Sequence, residues 1–244
     1  MTRDEQTSYQ MSGEHVAVLI TPVWQTLGPA LSRALAALDT SGGPVLDVGA
    51  GTGLGTRVVA ATLPGARVLA VEPDRGLRTA LLADVAGDPE LSSRVTVVGT
   101  DLLSTTWPEQ ISGLVALNVL GHLSPAERAV TWRRLAERLA PGGRAVLDLS
   151  PPHEDEPVPS SPLPDVVVGD RRYGGTAQAE VTGPRLLEWR MDYRVAQGDV
   201  VVAEATVRYE WHLVTPHEVA AEVAGAGLHL LAPHQEGDLY LITR

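Results

Sequence analysis

The chain has no cysteine and no lysine, and these absences narrow the possible functions before any motif is considered. Without cysteine there is no disulfide, no thiolate nucleophile and no thiolate metal ligand. The 19 basic residues are all arginines, and 30 acidic residues outnumber them, which gives a formal net charge of −11. Because nucleic-acid-binding proteins usually carry clustered positive charge, we expect no nucleic-acid partner.

Long apolar runs are also missing. No segment reaches the roughly 18 consecutive apolar residues that a membrane-spanning helix needs, so we expect no membrane partner. Residues 2–10 are polar and include Asp4 and Glu5, unlike a secretory signal peptide. Hydrophobic residues nevertheless make up 44% of the 244 positions, which is enough for a substantial core. These features predict a soluble, cytoplasmic enzyme.

A glycine-rich loop follows a short apolar segment at residues 45–48, which suits a buried strand. A strand that runs through such a loop into a helix is typical of a nucleotide site, because loop amides and helix N-termini attract anionic groups. The glycines do not fit the G-x-G-x-x-G spacing of dinucleotide-binding folds, which disfavours NAD. Asp47 precedes the loop and can accept hydrogen bonds. The four glycines are Gly49, Gly51, Gly53 and Gly55.

Residues 67–72 predict a second buried strand, and this strand ends on Glu72. Glu72 lies 21 positions after Gly51. That distance is close to the ~20 expected for a carboxylate that accepts both hydroxyls of an adenosine ribose. Pro73 and Asp74 follow as a helix start, and we expect Asp74 to be the helix cap rather than a ligand.

From Asp47 the sequence reads D-x-G-x-G-x-G, which resembles motif I of the class I S-adenosylmethionine (SAM) dependent methyltransferases. A second landmark of that family is L-x-P-G-G before an apolar strand, found here at residues 139–143. The resemblance covers residues 44–150 and 215–244. It implies an α/β fold with a Rossmann-like, mostly parallel sheet, an antiparallel last strand and N-terminal helices. It also implies SAM as cofactor and S-adenosylhomocysteine (SAH) as its product.

The resemblance further implies roles for individual residues. The glycine loop would lie beneath SAM, Glu72 would bind the ribose, and Asp101 would accept a hydrogen bond from the adenine amino group. The methionine end of SAM would lie near Asp47 and Asn118. Tyr9 is the candidate for closing the pocket. The full set of expected cofactor-binding residues is Asp47, Gly49, Ala50, Gly51, Gly53, Glu72, Pro73, Asp101, Leu102, Asn118 and Tyr9.

His122 follows the predicted fourth strand, at the edge of the sheet where cofactor methyl and substrate should meet. An imidazole there could act as a general base toward a hydroxyl or an amine, since its unperturbed pKa of about 6.5 suits that task. The alternative is a histidine that packs on the cofactor or hydrogen-bonds its neighbouring loop. The adjacent residues 153–156 (H-E-D-E) are expected to be a solvated loop, because neighbouring residues seldom converge on one metal ion.

Local patterns divide the chain into three expected parts. Residues 1–43 are a helical cap, with two helices over 14–38 interrupted at Pro22 and at Gly28-Pro29. Residues 44–150 and 213–244 form the SAM-binding core. Residues 151–212 are a proline-rich linker, irregular as far as residue 164, followed by an inserted antiparallel sheet.

The inserted sheet is indicated by alternation of apolar and polar residues over 187–195 and 203–211, joined by a turn at residues 197–199. Shorter strands are expected over 166–172 and 176–181. One face of this sheet carries four large aromatic residues, for which core packing is expected, with substrate or subunit contact as alternatives: Trp189, Tyr193, Tyr209 and Trp211. Arg128, Arg134 and Arg138 are expected on the solvated face of a helix over 125–140.

An insertion at this place resembles that of amino-sugar N,N-dimethyltransferases and relatives of glycine N-methyltransferase. The resemblance implies transfer of a methyl group to a nitrogen or oxygen of a small molecule, such as a secondary metabolite, without a metal ion. Two alternatives stay open: an enzyme that binds SAM without transferring methyl, for example a cyclisation catalyst, and a protein methyltransferase. The inserted sheet could also support a homodimer.

Overall fold

The computed structural model describes residues 12–149, 151–233 and 239–244. The helices are α1 (residues 12–19), α2 (Trp24–Leu35), α3 (Leu54–Thr62), α4 (Arg75–Gly87), α5 (Pro89–Ser92), a 3-10 turn (Leu120–His122), α6 (Pro125–Arg138) and α7 (Pro216–Gly225). The strands are β1 (Val45–Val48), β2 (Val68–Val71), β3 (Val95–Val98), β4 (Ile111–Ala116), β5 (Leu139–Leu147), β6 (Val158–Val168), β7 (Arg171–Gly183), β8 (Leu186–Gln197), β9 (Val200–His212), β10 (His229–Leu231) and β11 (Tyr240–Thr243). Among the described residues, no helix is long and apolar enough to cross a membrane.

The central sheet has seven strands in the order β10-β11-β5-β4-β1-β2-β3. Strands β1 to β5 pair in parallel, whereas β11 runs antiparallel to β5. Every residue of β1 and β4 is buried, because helices cover both faces of the sheet. One face packs against α2 and α3 and the other against α6 and α7. The predicted α/β fold with an antiparallel last strand is confirmed.

Helix caps explain why several helices begin where the sequence indicates. The Asp74 carboxylate accepts a hydrogen bond from the Leu77 backbone N–H at 2.8 Å, which confirms Asp74 as the cap of α4. Ser124 and Glu127 form a capping box at the start of α6, and Thr215 with Glu218 does the same for α7. These caps fix the entry of each helix next to the carboxyl ends of the strands.

Strands β6 to β9 form a separate antiparallel sheet in chain order, and all four fall within residues 151–212. The strong alternation in β8 and β9 and the turn between them are confirmed. The prediction of an irregular linker is wrong for its second half, since β6 begins at Val158 despite Pro159, Pro162 and Pro164. As an edge strand with register shifts, β6 tolerates residues that lack a backbone N–H. The strand predicted over residues 166–172 instead crosses the β6–β7 turn.

Two boundaries in the core also differ from expectation. Helix α2 continues through Pro29, so the cap breaks only around residues 20–23. Strand β5 begins at Leu139, so the P-G-G segment, which was expected to precede a strand, lies within it. The pairing of β4 with β5 is irregular there, and Gly142 adopts a φ of +76°, so the glycines bend the strand rather than precede it.

Arg128 does not lie on the solvated face of α6, contrary to expectation. Its side chain is 3% exposed and makes paired hydrogen bonds to the Glu222 carboxylate on α7. It also donates to the Leu123 carbonyl at 2.9 Å, next to the 3-10 turn. The partner is 94 residues away in sequence, so helical periodicity within α6 carries no sign of it.

Replacing Arg128 with alanine is expected to lower the free energy of unfolding by about 2–3 kcal/mol. Breaking a buried ion pair costs about 3–5 kcal/mol, but Glu222 is partly exposed and keeps a hydrogen bond from the Trp132 indole. Urea unfolding measures the change. The control is Arg57→Ala, whose ion pairs with Asp84 and Asp88 are exposed and should contribute less than about 1 kcal/mol. Equal losses in the two variants would contradict the prediction.

Candidate functional site

A cavity lies at the carboxyl ends of the parallel strands, where ligands of open α/β sheets bind. Helix α1 covers it with Val16, the turn after α1 contributes Ile20, and Trp24 of α2 closes one side. Its floor is the glycine loop, and its other wall is the end of β2 and the loops after β3 and β4. The expected site residues in its wall are Gly49, Ala50, Gly51, Glu72, Pro73, Asp101, Leu102, Asn118 and His122.

The glycine loop needs glycine for its backbone and for its packing. Gly49, Gly51 and Gly53 have φ values of +65°, +57° and +99°. A Cβ on Gly49 would lie 2.8 Å from Val119 Cγ2, and one on Gly53 would lie 2.7 Å from Leu81 Cδ1. Larger residues would therefore be strained and would push the loop away from β4 and α4. Gly53 is the N-cap residue of α3 and does not line the cavity.

Glu72 ties the glycine loop to the start of α4. Its Oε2 accepts a hydrogen bond from the Gly51 N–H at 2.8 Å, and its Oε1 accepts one from the Asp74 N–H at 2.7 Å. The side chain is only 5% exposed. Burial raises the pKa of Glu72 to about 7, partly offset by the two amide hydrogen bonds. The carboxyl group thus lies in the cavity wall with its position fixed by backbone.

Asp47 lies beneath the glycine loop rather than in the cavity wall. Its carboxylate accepts a hydrogen bond from the Thr56 hydroxyl of α3 at 2.5 Å, and the residue is 3% exposed. Burial raises the pKa of Asp47 to about 6, against the effect of the Thr56 hydrogen bond. The structure therefore places Asp47 where it holds the loop against α3.

Asp101 and Leu102 line the cavity from the loop after β3. The Asp101 carboxylate accepts hydrogen bonds from Leu103 N at 2.9 Å and from both the backbone and the hydroxyl of Ser104. Burial works to raise the pKa of Asp101, but these hydrogen bonds outweigh it and leave the pKa below its usual value. The carboxylate is therefore ionised at neutral pH and held in one orientation.

Asn118 and His122 lie where this cavity meets a second one. Asn118 adopts a φ of +56°, and its N–H donates to the Asp148 carboxylate at 2.7 Å. The second cavity lies between α1, the 3-10 turn and the inner face of the inserted sheet, and its wall contains Ser12, Val16, Ile20, Asn118, His122, Tyr193, Val207, Tyr209 and Trp211. Both cavities therefore share one boundary, formed by Asn118, His122 and α1.

The imidazole of His122 is held between two aromatic rings of β9. Its centroid lies 4.9 Å from Trp211, edge to face, and 5.5 Å from Tyr209. Burial, with a smaller contribution from His212, lowers the pKa of His122 to about 4. The ring is therefore neutral at pH 7 and can accept a hydrogen bond.

Residues 46–145 match a family model described as a methyltransferase domain. This segment is similar to methyltransferase domains and runs from β1 into β5. Within it lie the glycine loop, Glu72, Asp101, Asn118 and His122, residues that line the first cavity. A search of curated protein sequences finds no match.

Solved structures share the fold of this chain over most of its length. SAM-bound CalS10 of Micromonospora echinaspora, an amino pentose methyltransferase involved in calicheamicin biosynthesis, is 18% identical over 91% of each chain, with a TM-score of 0.71. The CcbJ methyltransferase of Streptomyces caelestis is 22% identical over 89% of this chain and 93% of that one, with a TM-score of 0.69. The sugar N-methyltransferase KedS8 of Streptoalloteichus is 18% identical over 89% and 86%, with a TM-score of 0.66. At these identities the likeness shows the fold.

The aromatic face of the inserted sheet contacts the 3-10 turn that follows β4. The indole of Trp211 lies directly on Gly121, and a Cβ on Gly121 would overlap its ring. Tyr193 and Tyr209 continue the wall, and burial raises the pKa of both hydroxyls, so they stay protonated. Trp189 packs instead on a small apolar cluster with Leu187. The sequence indicated a shared face for these aromatics, but their contact with His122 depends on tertiary packing.

Residues 153–156 lie away from both cavities. Tyr9 lies outside the described residues. His153 contacts the Val214 carbonyl through Nδ1 at 3.1 Å, and Asp155 accepts the Arg185 N–H, so both serve the junction with the inserted sheet. Among the residues that the structure describes, no group of three potential metal ligands comes together.

Proposed function

We propose that the protein is a SAM-dependent methyltransferase that methylates an amine nitrogen of a small molecule, such as an amino sugar. The supporting observation is that a single neutral imidazole, His122, lines both the cavity expected for the cofactor and the second cavity. The methyltransferase domain and the amino pentose and sugar N-methyltransferases of similar fold support the same assignment. The second cavity would hold the acceptor.

The first cavity fits an adenosyl group. The amides of the glycine loop and the fixed Glu72 carboxylate would hold the ribose, while Asp101 would accept from the adenine amino group, with Leu102 and Pro73 packing on the ring. Asn118 would face the methionine end. When bound, SAM supplies a methyl group on a positively charged sulfur. Asp47 and Gly53 would act indirectly, by holding the loop in its strained conformation.

The wall of the second cavity favours a nitrogen nucleophile. Among the described residues the wall contains no carboxylate that could pair with a buried ammonium, so an amine would bind in its neutral, nucleophilic form. An imidazole with a pKa of about 4 is too weak a base to deprotonate a hydroxyl, but it accepts an N–H hydrogen bond well. His122 would thereby direct the amine lone pair toward the first cavity. In this proposal His122 accepts a hydrogen bond and does not act as the general base that the sequence suggested.

Orientation would supply much of the rate enhancement. Holding two reactants in line can contribute about 7–11 kcal/mol toward lowering the barrier. Nitrogen gains the methyl group as the carbon–sulfur bond breaks, and the new ammonium loses its proton to water when the product leaves. His122 needs no net proton transfer in this sequence.

A pair of matched acceptors tests the proposal. An amino hexoside and the hexoside with a hydroxyl on the same carbon, each offered with SAM, should differ in SAH release and in product mass. We expect SAH and a singly or doubly methylated product from small amines only. Methylation of the hydroxyl partner alone would contradict the proposal. SAM binding without SAH release across a panel of small amines would favour the enzyme that transfers no methyl, and methylation of proteins alone would favour the protein methyltransferase.

Cofactor affinity should depend on pH through Glu72. Ribose hydroxyls donate to the carboxylate form, so binding should be tightest above the Glu72 pKa of about 7 and should weaken as the pH falls below it. Titration calorimetry with SAH should show about tenfold weaker binding at pH 6 than at pH 8. Glu72→Gln should bind more weakly and lose this dependence. A wild-type affinity that does not change between these pH values would contradict the prediction.

Homodimerisation and a cytoplasmic location stay predictions. A second copy would cover the end of the inserted sheet where Val167, Val168, Val200 and Val201 are exposed at the β6–β7 and β8–β9 turns. Light scattering would then give twice the chain mass for the wild type, and the mass of one chain for Val200→Ser combined with Val201→Ser. A wild-type mass of one chain would contradict the dimer.

A further inference from the structure

The two carboxylate oxygens of Asp74 have different surroundings. Oδ1 accepts the Leu77 N–H at 2.8 Å and so caps α4. Oδ2 is buried, and within the described part of the chain it accepts no hydrogen bond. Asp74 as a whole is 4% exposed. Because a buried carboxylate oxygen without a donor is costly, Oδ2 calls for a partner that the described part of the chain does not supply.

Asp74 lies in the wall of the first cavity, beside Glu72 and Pro73 at the end of β2. Helix α1 covers it, since a Cβ on Gly13 would lie 3.7 Å from Oδ1. The nearby Arg78 guanidinium donates to the Glu72 and Pro73 carbonyls at 2.7 and 2.8 Å, so its contacts lie on the backbone rather than on this carboxylate. A donor in the cavity is therefore the natural partner for Oδ2.

Glu72 differs from Asp74 in this respect. Both Glu72 oxygens already accept backbone amides, from Gly51 and from Asp74 itself. Each keeps a further lone pair, but the group is positioned first of all by the loop and α4. Of the four oxygens in this pair of carboxylates, Asp74 Oδ2 is the one to which no described residue donates a hydrogen bond.

We propose that Asp74 binds the cofactor directly, with Oδ2 accepting a hydrogen bond from one of the two ribose hydroxyls while Glu72 accepts the other. This inference rests on the proposed function and deepens it, because it assigns a ligand role to a residue whose sequence context indicates only a helix cap. Two neighbouring carboxylates match a vicinal diol and repel a ribose phosphate. The site thereby selects an unphosphorylated ribose.

Asp74→Asn separates the two roles. Asparagine caps helices as well as aspartate does, so its carbonyl keeps the bond to Leu77, while an amide NH₂ that cannot accept replaces Oδ2. Calorimetry would use SAH, 2′-deoxy-SAH and 3′-deoxy-SAH as ligands. We expect Asp74→Asn to weaken SAH binding about ten- to hundredfold, the usual effect of a hydrogen bond to a charged group. In Asp74→Asn, SAH and one of the two deoxy analogues should bind with equal affinity, because the hydroxyl missing from that analogue has already lost its acceptor. In Glu72→Gln the same should hold for the other deoxy analogue.

Stability measurements complete the test. The unfolding temperature of ligand-free Asp74→Asn should match the wild type, whereas Asp74→Ala should unfold at a lower temperature because it loses the cap. SAH binding by Asp74→Asn at wild-type affinity, or equal sensitivity to both hydroxyls in variant and wild type, would overturn this inference and leave the proposed function intact. A wild type that binds no SAH would overturn both.

Discussion

Replacing His122 with alanine is expected to lower kcat about hundredfold while SAH affinity stays within about twofold of the wild type. The imidazole borders both cavities, and its burial-lowered pKa of about 4 keeps it neutral at working pH. It is thus a hydrogen-bond acceptor beside the proposed methyl-transfer path. Loss of the alignment between the amine and the methyl group costs about 10²-fold in rate. Steady-state kinetics with an amine acceptor measures the loss, and calorimetry with SAH measures the affinity.

His122→Gln is the matched variant, since its side-chain oxygen accepts a hydrogen bond but takes up no proton at neutral pH. If His122 orients the amine, this variant should keep more activity than His122→Ala. It should also leave the pH profile of kcat unchanged in shape. Equal kcat values for His122→Ala and the wild type would remove His122 from the mechanism. A profile with an acidic limb that disappears in His122→Gln would instead favour the general base.

Adding one methyl group at Gly121 is expected to have an effect of similar size from a different cause. The backbone of Gly121 has no positive φ, so alanine is not strained there, but its Cβ would overlap the Trp211 indole. Either the indole or the 3-10 turn must shift, and both hold the His122 ring. We expect Gly121→Ala to lower kcat by about 10²-fold, since small misplacements of a catalytic group have losses of that order.

Two further variants isolate the cause. Gly87→Ala adds the same methyl group where nothing lies within 4 Å, so it should leave kcat unchanged. Gly121→Ala combined with Trp211→Leu removes the overlap and should recover part of the lost activity. A Gly121→Ala enzyme with wild-type kcat would show that contact between the inserted sheet and the 3-10 turn does not position His122.

The sequence predicts best those features whose cause is local. Strand β1, the glycine loop, α3 and the Asp74 cap depend on neighbouring residues, and they lie where the spacing indicates. Glu72 was also predictable, because its distance from Gly51 is set by one strand–helix–strand unit. Its double hydrogen bond to the backbone was not, although that bond shapes the cavity.

Features that depend on contacts between residues far apart along the chain cannot be predicted from local sequence patterns. Helical periodicity assigns Arg128 to the solvated face of α6. Only the packing of α7 against α6 brings Glu222 to it. The prolines of β6 signal a break unless the strand is known to be an edge. Trp211 and Tyr209 share a face by alternation, but only the docking of the inserted sheet brings them to His122. In the same way, periodicity places Asp74 at a helix start and cannot show that the residue lies in a cavity wall.

A crystal structure with SAH and a small amine acceptor tests the central claim most directly. We predict the adenosyl group in the first cavity with its ribose between Glu72 and Asp74, and the sulfur directed toward the second cavity. The amine nitrogen should lie within hydrogen-bond distance of His122, in line with the sulfur. An adenosyl group bound elsewhere, or an acceptor nitrogen out of reach of both the sulfur and His122, would contradict the account.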